Sequence, residues 1–240
     1  MTNGTAAPVT SRRFPQARVM LLLGLALTLV LYLVPQLALL AYPFLLLSTL
    51  AHEMGHGLAA IAVGAGFERL EMWSDGSGVA TWSGEPGRLR LALVAAGGLV
   101  GPAVAAGVAF LVGRKARGAR VGLVVLTAFL AVALVLVVRG AFGFVFVGCV
   151  VAVCGLVAWK GSDEVAQLWL VFLALQLALS VFSRGEYLFT AVAETGAGTM
   201  PSDTGVMASA LLLPYWFWGA LCGAFSATVV ALAVKAYWRR

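Results

Sequence analysis

Apolar positions in this chain gather into long unbroken blocks, at about 18–34, 37–64, 90–112, 121–138, 141–159, 165–182 and 206–236. About 20 such residues, rising 1.5 Å each as a helix, cross a hydrocarbon layer of roughly 30 Å. The pattern therefore predicts an all-α polytopic membrane protein with about six to seven transmembrane helices. The second and last blocks are longer than a crossing requires, which predicts tilt or a kink, with Pro214 the natural break in the last.

The interruptions differ in kind. Residues 1–17 are polar with Gly and Pro and read as a disordered tail, leaving 18–240 as a single transmembrane domain. Between Gly66 and Gly87, "FERLEMW" and "GVATWSG" flank "SDGSG", which predicts two short strands around a tight turn. Residues 183–202 read as a long loop, Gly-rich towards its end.

Composition agrees with the block pattern. Apolar residues make up 62% of the 240, charged residues 11%, and the mean hydropathy is +0.99. These values exclude a soluble globular domain, and no separate one fits between the blocks. The net charge of +6 comes from short clusters at block ends (Arg12, Arg13, Arg18; Arg114, Lys115, Arg117, Arg120; Lys235, Arg239, Arg240). Such clusters anchor to lipid headgroups, so the expected partner is the bilayer and not nucleic acid. If seven blocks span, Arg12, Arg13, Arg18, Arg69, Arg88, Arg90, Arg139 and Arg184 fall on one side, half of the 16 Lys and Arg. The positive-inside rule then gives a tie. Cys149, Cys154 and Cys222 lie within apolar blocks at spacings that suit neither disulfides nor a paired-cysteine metal site. The opening has the basic-then-apolar order of a signal sequence, but no A-x-A-like site follows, so an uncleaved first span is expected. The preference for Arg over Lys and the abundance of Ala, Gly and Val point to a bacterial source and the plasma membrane.

The chemistry concentrates in one place. Both histidines of the chain stand in "STLAHEMGHGLAAIAVG", where His52, Glu53 and His56 fit H-E-x-x-H. On a helix, positions four apart share a face, so two imidazoles can reach one zinc while Glu53 stands beside the metal's open position. Such a glutamate can take a proton from metal-activated water and pass it to a leaving amine. At 100° per residue, Ala51, Gly55, Ala59 and Ala62 form a stripe of small side chains bordering the histidines. Leu47, Leu50, Met54, Leu58 and Ile61 form the opposite face, expected to meet lipid. The small stripe predicts close packing on another helix, and Gly97 and Gly101, a G-x-x-x-G pair, supply a suitable partner. Ionisable groups at membrane depth cost several kcal/mol unless paired or functional, which favours metal binding over a structural or proton-handling role.

A catalytic zinc site needs a third protein ligand. Without further histidines a carboxylate is expected, from Asp75, Asp163, Glu164, Glu186, Glu194 or Asp203. Asp163 and Glu164 sit beside Lys160 in a short polar connection. Asp75 belongs to ordinary Asp-Gly turn chemistry. Asp203 precedes the last block, where it serves equally well as a helix cap or as a ligand on a helix begun at membrane depth; Ser202 and Thr204 are rival caps.

"LAHEMGHGLAA" resembles the zinc helix of the site-2 protease family of intramembrane zinc metallopeptidases. "ERLEMWSDGSGVATW", "AAGGLVGPA" and the late "PSD" resemble a compact bacterial branch of it, over residues 45–105 and more weakly 176–218. The resemblance implies zinc bound by His52 and His56, Glu53 as catalytic base, and a later aspartate, Asp203, as third ligand. The family's late motif is an Asp-Gly pair, whereas this chain reads Pro201-Ser202-Asp203-Thr204. Its Asp75-Gly76 comes too soon after the zinc helix to match the family's order. The implied activity is endoproteolysis of a transmembrane or membrane-associated protein substrate. A helical substrate must unwind before it is cut, and residues 68–83 of the hairpin, next to the zinc helix, are suited to hold the unwound segment by strand addition. Two other functions use the same residues: a metal or proton transporter, which would call for further acidic or histidine residues in other spans, and an inactive protease-like adaptor, which has no use for Glu53.

Overall fold

The computed structural model describes residues 16–85, 87–183 and 188–239. Among the described residues eight helices carry the architecture: α1 Gln16–Leu33, α2 Ala38–Ala62, α3 Arg88–Val112, α4 Ala116–Leu136, α5 Ala141–Lys160, α6 Asp163–Ser183, α7 Asp203–Leu211 and α8 Tyr215–Trp238. A single 3-10 turn, Pro35–Leu37, joins α1 to α2. Of the expected tail, Gln16 and Ala17 belong to α1, and the remainder lies outside the described residues.

Among the described residues six helices, α1, α3, α4, α5, α6 and α8, are long and apolar enough to cross a membrane. The protein is an integral, multi-pass membrane protein. The 25-residue α2 is long enough to cross but falls outside these six; His52, Glu53 and His56 dilute its apolar run. Burial separates centre from periphery. About half or more of α3 and α6 is buried (50% and 61% of their apolar windows), against 22–28% for α1, α4, α5 and α8. The outer helices thus present most of their surface to lipid.

Glycine decides how closely the centre packs. A Cβ on Gly55 would collide with the Gly97 carbonyl, one on Gly97 with Ala59, and one on Gly101 would lie 2.8 Å from the Ala51 carbonyl oxygen. The small stripe of α2 therefore meets the G-x-x-x-G face of α3, as the spacing predicts. The opposite face of α2 departs from expectation. Leu58 and Ile61 are exposed, but Leu50 and Met54 are buried with Leu70, Met72, Leu130 and Val147. The apolar residues of the hairpin, α4 and α5 remove that part of the face from lipid.

The hairpin forms as read: β1 Gly66–Met72 pairs antiparallel with β2 Gly78–Ser83, from Gly66 opposite Ser83 to Met72 opposite Gly78, with an irregularity between Phe67 and Arg69. A third strand, β3 Val138–Arg139, adds parallel to β1, giving the order β2-β1-β3. Periodicity could not predict β3, because two residues at the end of an apolar block carry no period. The sheet leaves the outer edge of β2 without a strand partner among the described residues. Tyr42 and Thr49 of α2 donate hydrogen bonds of 2.6 Å to the carbonyls of Ser74 and Gly76, tying the turn to α2.

Two further expectations are corrected. The loop at 183–202 contains a second hairpin, β4 Val192–Thr195 with β5 Gly198–Pro201. The last apolar block is two helices, not one kinked helix. Leu212 takes the left-handed conformation (φ 66°) to close α7, and Pro214, which lacks an amide hydrogen, starts α8. The separate α7 is short and free to lie where a full span could not.

Candidate metal centre

His52 and His56 project from one side of α2 with their Nε2 atoms 3.1 Å apart. Asp203, the first residue of α7, closes the group: its Oδ2 lies 3.0 Å from His52 Nε2 and its Oδ1 3.2 Å from His56 Nε2. All three side chains are only 12–13% exposed. Among the described residues this is the group of metal-ligating side chains whose ligand atoms fall within 4.8 Å of one another.

Local structure explains each position. His56 Nδ1 lies 2.8 Å from the Val94 carbonyl oxygen of α3. With that bond donated from Nδ1, the lone pair of Nε2 is left facing the group. The ring has room because residue 98 is glycine: a Cβ there would overlap its Cε1 and Nε2 atoms. Glu53, 5% exposed, turns towards β2. It accepts a hydrogen bond from the Ala80 backbone amide, and a Cβ on Gly78 would press to 2.8 Å from its Cγ. The hairpin is thus the wall that holds the carboxylate beside the histidines.

Asp203 reaches the group because another residue caps its helix. Ser202 Oγ accepts from the Gly205 amide at 3.1 Å and donates to the Thr190 carbonyl at 2.5 Å. Thr204 Oγ1 donates to the same carbonyl at 2.8 Å. Ser202 and Thr204 are 1% and 0% exposed, so the first turn of α7 is locked between them. Arg88 Nε, at the start of α3, donates to the Ala210 carbonyl at 2.7 Å and holds the other end.

The other carboxylates lie elsewhere. Asp75 caps its own turn, its Oδ1 accepting from Ser77 Oγ at 2.7 Å and from the Ser77 amide at 2.8 Å. Those hydrogen bonds, the hydroxyl's foremost, hold its carboxyl below the usual carboxylate range. Ser77 Oγ in turn accepts from the Gly196 amide at 2.9 Å, and a Cβ on Gly196 would strike the Trp73 ring, so the two hairpins touch. Asp163 pairs with Arg120, Glu164 stands in the first turn of α6, and Glu194 is exposed on β4. Glu186 lies outside the described residues.

The group fits a metal ion. A tetrahedral centre with bonds of about 2.0–2.1 Å separates its ligand atoms by about 3.4 Å, close to the 3.0–3.2 Å found here. Asp203 Oδ2 is buried and makes no well-formed hydrogen bond despite its nearness to His52 Nε2. A shared cation would satisfy that oxygen. Two imidazoles and one carboxylate are a donor set that zinc accepts while keeping a fourth position for water or substrate. Sequence reasoning missed the Val94 carbonyl, the space at Gly98 and the Ala80 amide. The first and last are backbone groups that no side chain announces; Gly98, inside "AAGGLVGPA", was visible only as a small residue.

A multi-pass helical bundle with two helical histidines, an adjacent glutamate and an aspartate from a later helix defines the class of membrane metallopeptidases. Comparison with protein families agrees: the model described as Peptidase M50B-like matches residues 22–233, and the chain belongs to that family, one of site-2 protease type. No curated protein and no solved structure matches the chain.

Proposed function

We propose that this protein is a zinc-dependent intramembrane endopeptidase of the bacterial plasma membrane, hydrolysing membrane-embedded or membrane-proximal peptide bonds of a protein substrate. The observation that carries the reading is the convergence of His52, His56 and Asp203 within 4.8 Å, inside a lipid-embedded bundle and next to Glu53. The two imidazoles and the carboxylate would hold zinc, which when bound polarises a carbonyl and lowers the pKa of water.

The remaining steps belong to the chain. Glu53 takes a proton as the water oxygen attacks the scissile carbonyl carbon, and delivers it to the amide nitrogen as the C–N bond breaks. The Ala80 amide keeps the carboxylate oriented between those two transfers. The Val94 carbonyl accepts from His56 Nδ1 and so leaves the Nε2 lone pair facing the metal position, where a bound ion would occupy it. A helical substrate offers no free carbonyl, because its peptide groups are already bonded and shielded; it must unwind first. The outer edge of β2 runs beside Glu53 and can take the unwound segment as an added strand, exchanging lost helical bonds for strand bonds.

The test compares purified wild type with Glu53→Gln for zinc stoichiometry and for cleavage of single-span substrates. The expected result is full zinc content with cleavage reduced by about 10²–10⁴-fold, the range for loss of a general base. Equal cleavage by both proteins would sink the proposal.

A further inference from the structure

Away from the polar chemistry of the metal centre, a groove of about 600 Å³ runs between α2, α3, α4 and α6, lined by apolar residues alone. Its floor is buried, with Leu130, Leu170 and Leu173 only 4–6% exposed. Its rim is open: Val104, Val108, Val121, Val125 and Phe129 are 39–61% exposed. Because α3 and α4 are both long and apolar enough to cross the membrane, that opening faces hydrocarbon. Along α3 the lining runs from Gly97 to Val112, about 22 Å at 1.5 Å per residue. One leaflet of a roughly 30 Å hydrocarbon layer is shorter than this, so the groove takes the full length of an acyl chain.

One end of the groove carries charge. Val112 is the last residue of α3 and Val121 lies in the second turn of α4, and the chain between them includes Gly113-Arg114-Lys115-Ala116-Arg117. Arg117 stands one turn before Val121 on the same face of α4, and both it and Lys115 are exposed. Among the described residues none of Arg114, Lys115 and Arg117 forms an ion pair, whereas Arg120 is taken up by Asp163 and by the carbonyls of Ala158 and Gly161. Arg114 Nε is buried with no hydrogen-bond partner, and such a donor costs free energy until an acceptor meets it. Three uncompensated cations at the end of an apolar groove match a molecule with an anionic head and an apolar tail. The walls suit a flexible chain better than a helix. Close helix contact needs small residues on the approached surface, and Gly55, Gly97 and Gly101 are already engaged in the contact of α2 with α3. The valines and Phe129 left on the rim hold a helix backbone off, while a chain of methylenes passes between them.

We propose that this groove binds one anionic phospholipid, its phosphate held by Arg114, Lys115 and Arg117 and one acyl chain seated between α3 and α4 over Leu170 and Leu173. The groove reaches Ala51 and Gly55, which precede His52 and His56 in the sequence, so the bound chain braces the helix that carries the histidines. The inference does not rest on the peptidase reading, since binding is measured without metal or turnover.

In the test, full-length protein is purified in detergent, stripped of lipid and titrated with phosphatidylglycerol or phosphatidylcholine. Native mass spectrometry counts the bound lipid, and the unfolding midpoint is followed in parallel. One phosphatidylglycerol is expected to be retained in preference to phosphatidylcholine and to raise the midpoint, as any ligand of the folded state does. Lys115→Gln with Arg117→Gln is expected to weaken phosphatidylglycerol about 30-fold, the product of about fivefold for each cation beside an anionic group, and to leave phosphatidylcholine unchanged. Lys235→Gln with Arg239→Gln, which removes two cations from the end of α8, is the charge control and should bind as wild type does. Val125→Trp on α4 fills the groove and is expected to lower the binding of both lipids; Val108→Trp on α3 gives the same reading should the first variant not fold. Equal affinity of wild type for the two lipids, or equal loss in the two charge variants, overturns the headgroup site. Unchanged binding in both tryptophan variants assigns the lipid to the outer surface and overturns the groove. A wild-type dimer that Val125→Trp dissociates makes the groove an interface between copies of this chain and likewise overturns the inference.

Discussion

Removing the cap that frees Asp203 is expected to weaken metal binding without touching a ligand. In Ser202→Ala the Gly205 amide loses its 3.1 Å acceptor, while the Thr190 carbonyl keeps its 2.8 Å bond from Thr204. The loss is therefore one cap and not an orphaned carbonyl, which by analogy with other N-caps costs about 1–2 kcal/mol. That cost falls on the first turn of α7, where Asp203 sits. If the frayed turn must be re-formed for the carboxylate to reach the histidines, zinc affinity falls by the same free energy, about 5–30-fold. Chelator competition on purified wild type, Ser202→Ala and Ser209→Ala measures it. Ser209 lies on the same helix, exposed, with only an Oγ bond of 2.9 Å to the Val206 carbonyl, so its variant should bind zinc as wild type does. Affinity of Ser202→Ala within twofold of wild type would refute the argument that the cap holds Asp203 in place.

Three further outcomes follow from the same geometry. Gly98→Ala places a Cβ on the His56 ring, so zinc affinity should fall about tenfold or more with circular dichroism unchanged; normal affinity would show that the ring can move aside. Gly97→Ala sets a Cβ against Ala59 and 2.7 Å from the Gly55 carbonyl oxygen, an overpacking of about 1–3 kcal/mol that should lower the unfolding midpoint in detergent. Asp203→Ala should strip the metal, whereas Asp75→Ala, which removes only turn hydrogen bonds at an exposed site, should keep it; zinc stoichiometry of the two variants decides the third ligand, and loss from Asp75→Ala alone reverses the assignment.

The linear chain determined what depends on neighbours along it. Membrane crossing needs only an apolar run of sufficient length, and the pairing of His52 with His56 needs only a helical pitch; both are local, and both are found as read. The small stripe on α2 and the glycines of α3 announced their contact because each lies on one helix face. Tertiary structure decided whatever joins residues far apart. That Asp203 and not Asp75 meets the histidines follows from Ser202 taking the cap and Pro214 cutting the last block, which frees a short helix to enter the bundle. The burial of Leu50 and Met54 follows from a hairpin and two later helices covering a face that in isolation is suited to lipid. Val94 and Ala80 contribute through backbone groups, whose chemistry is the same at every position, so only their placement gives them a role.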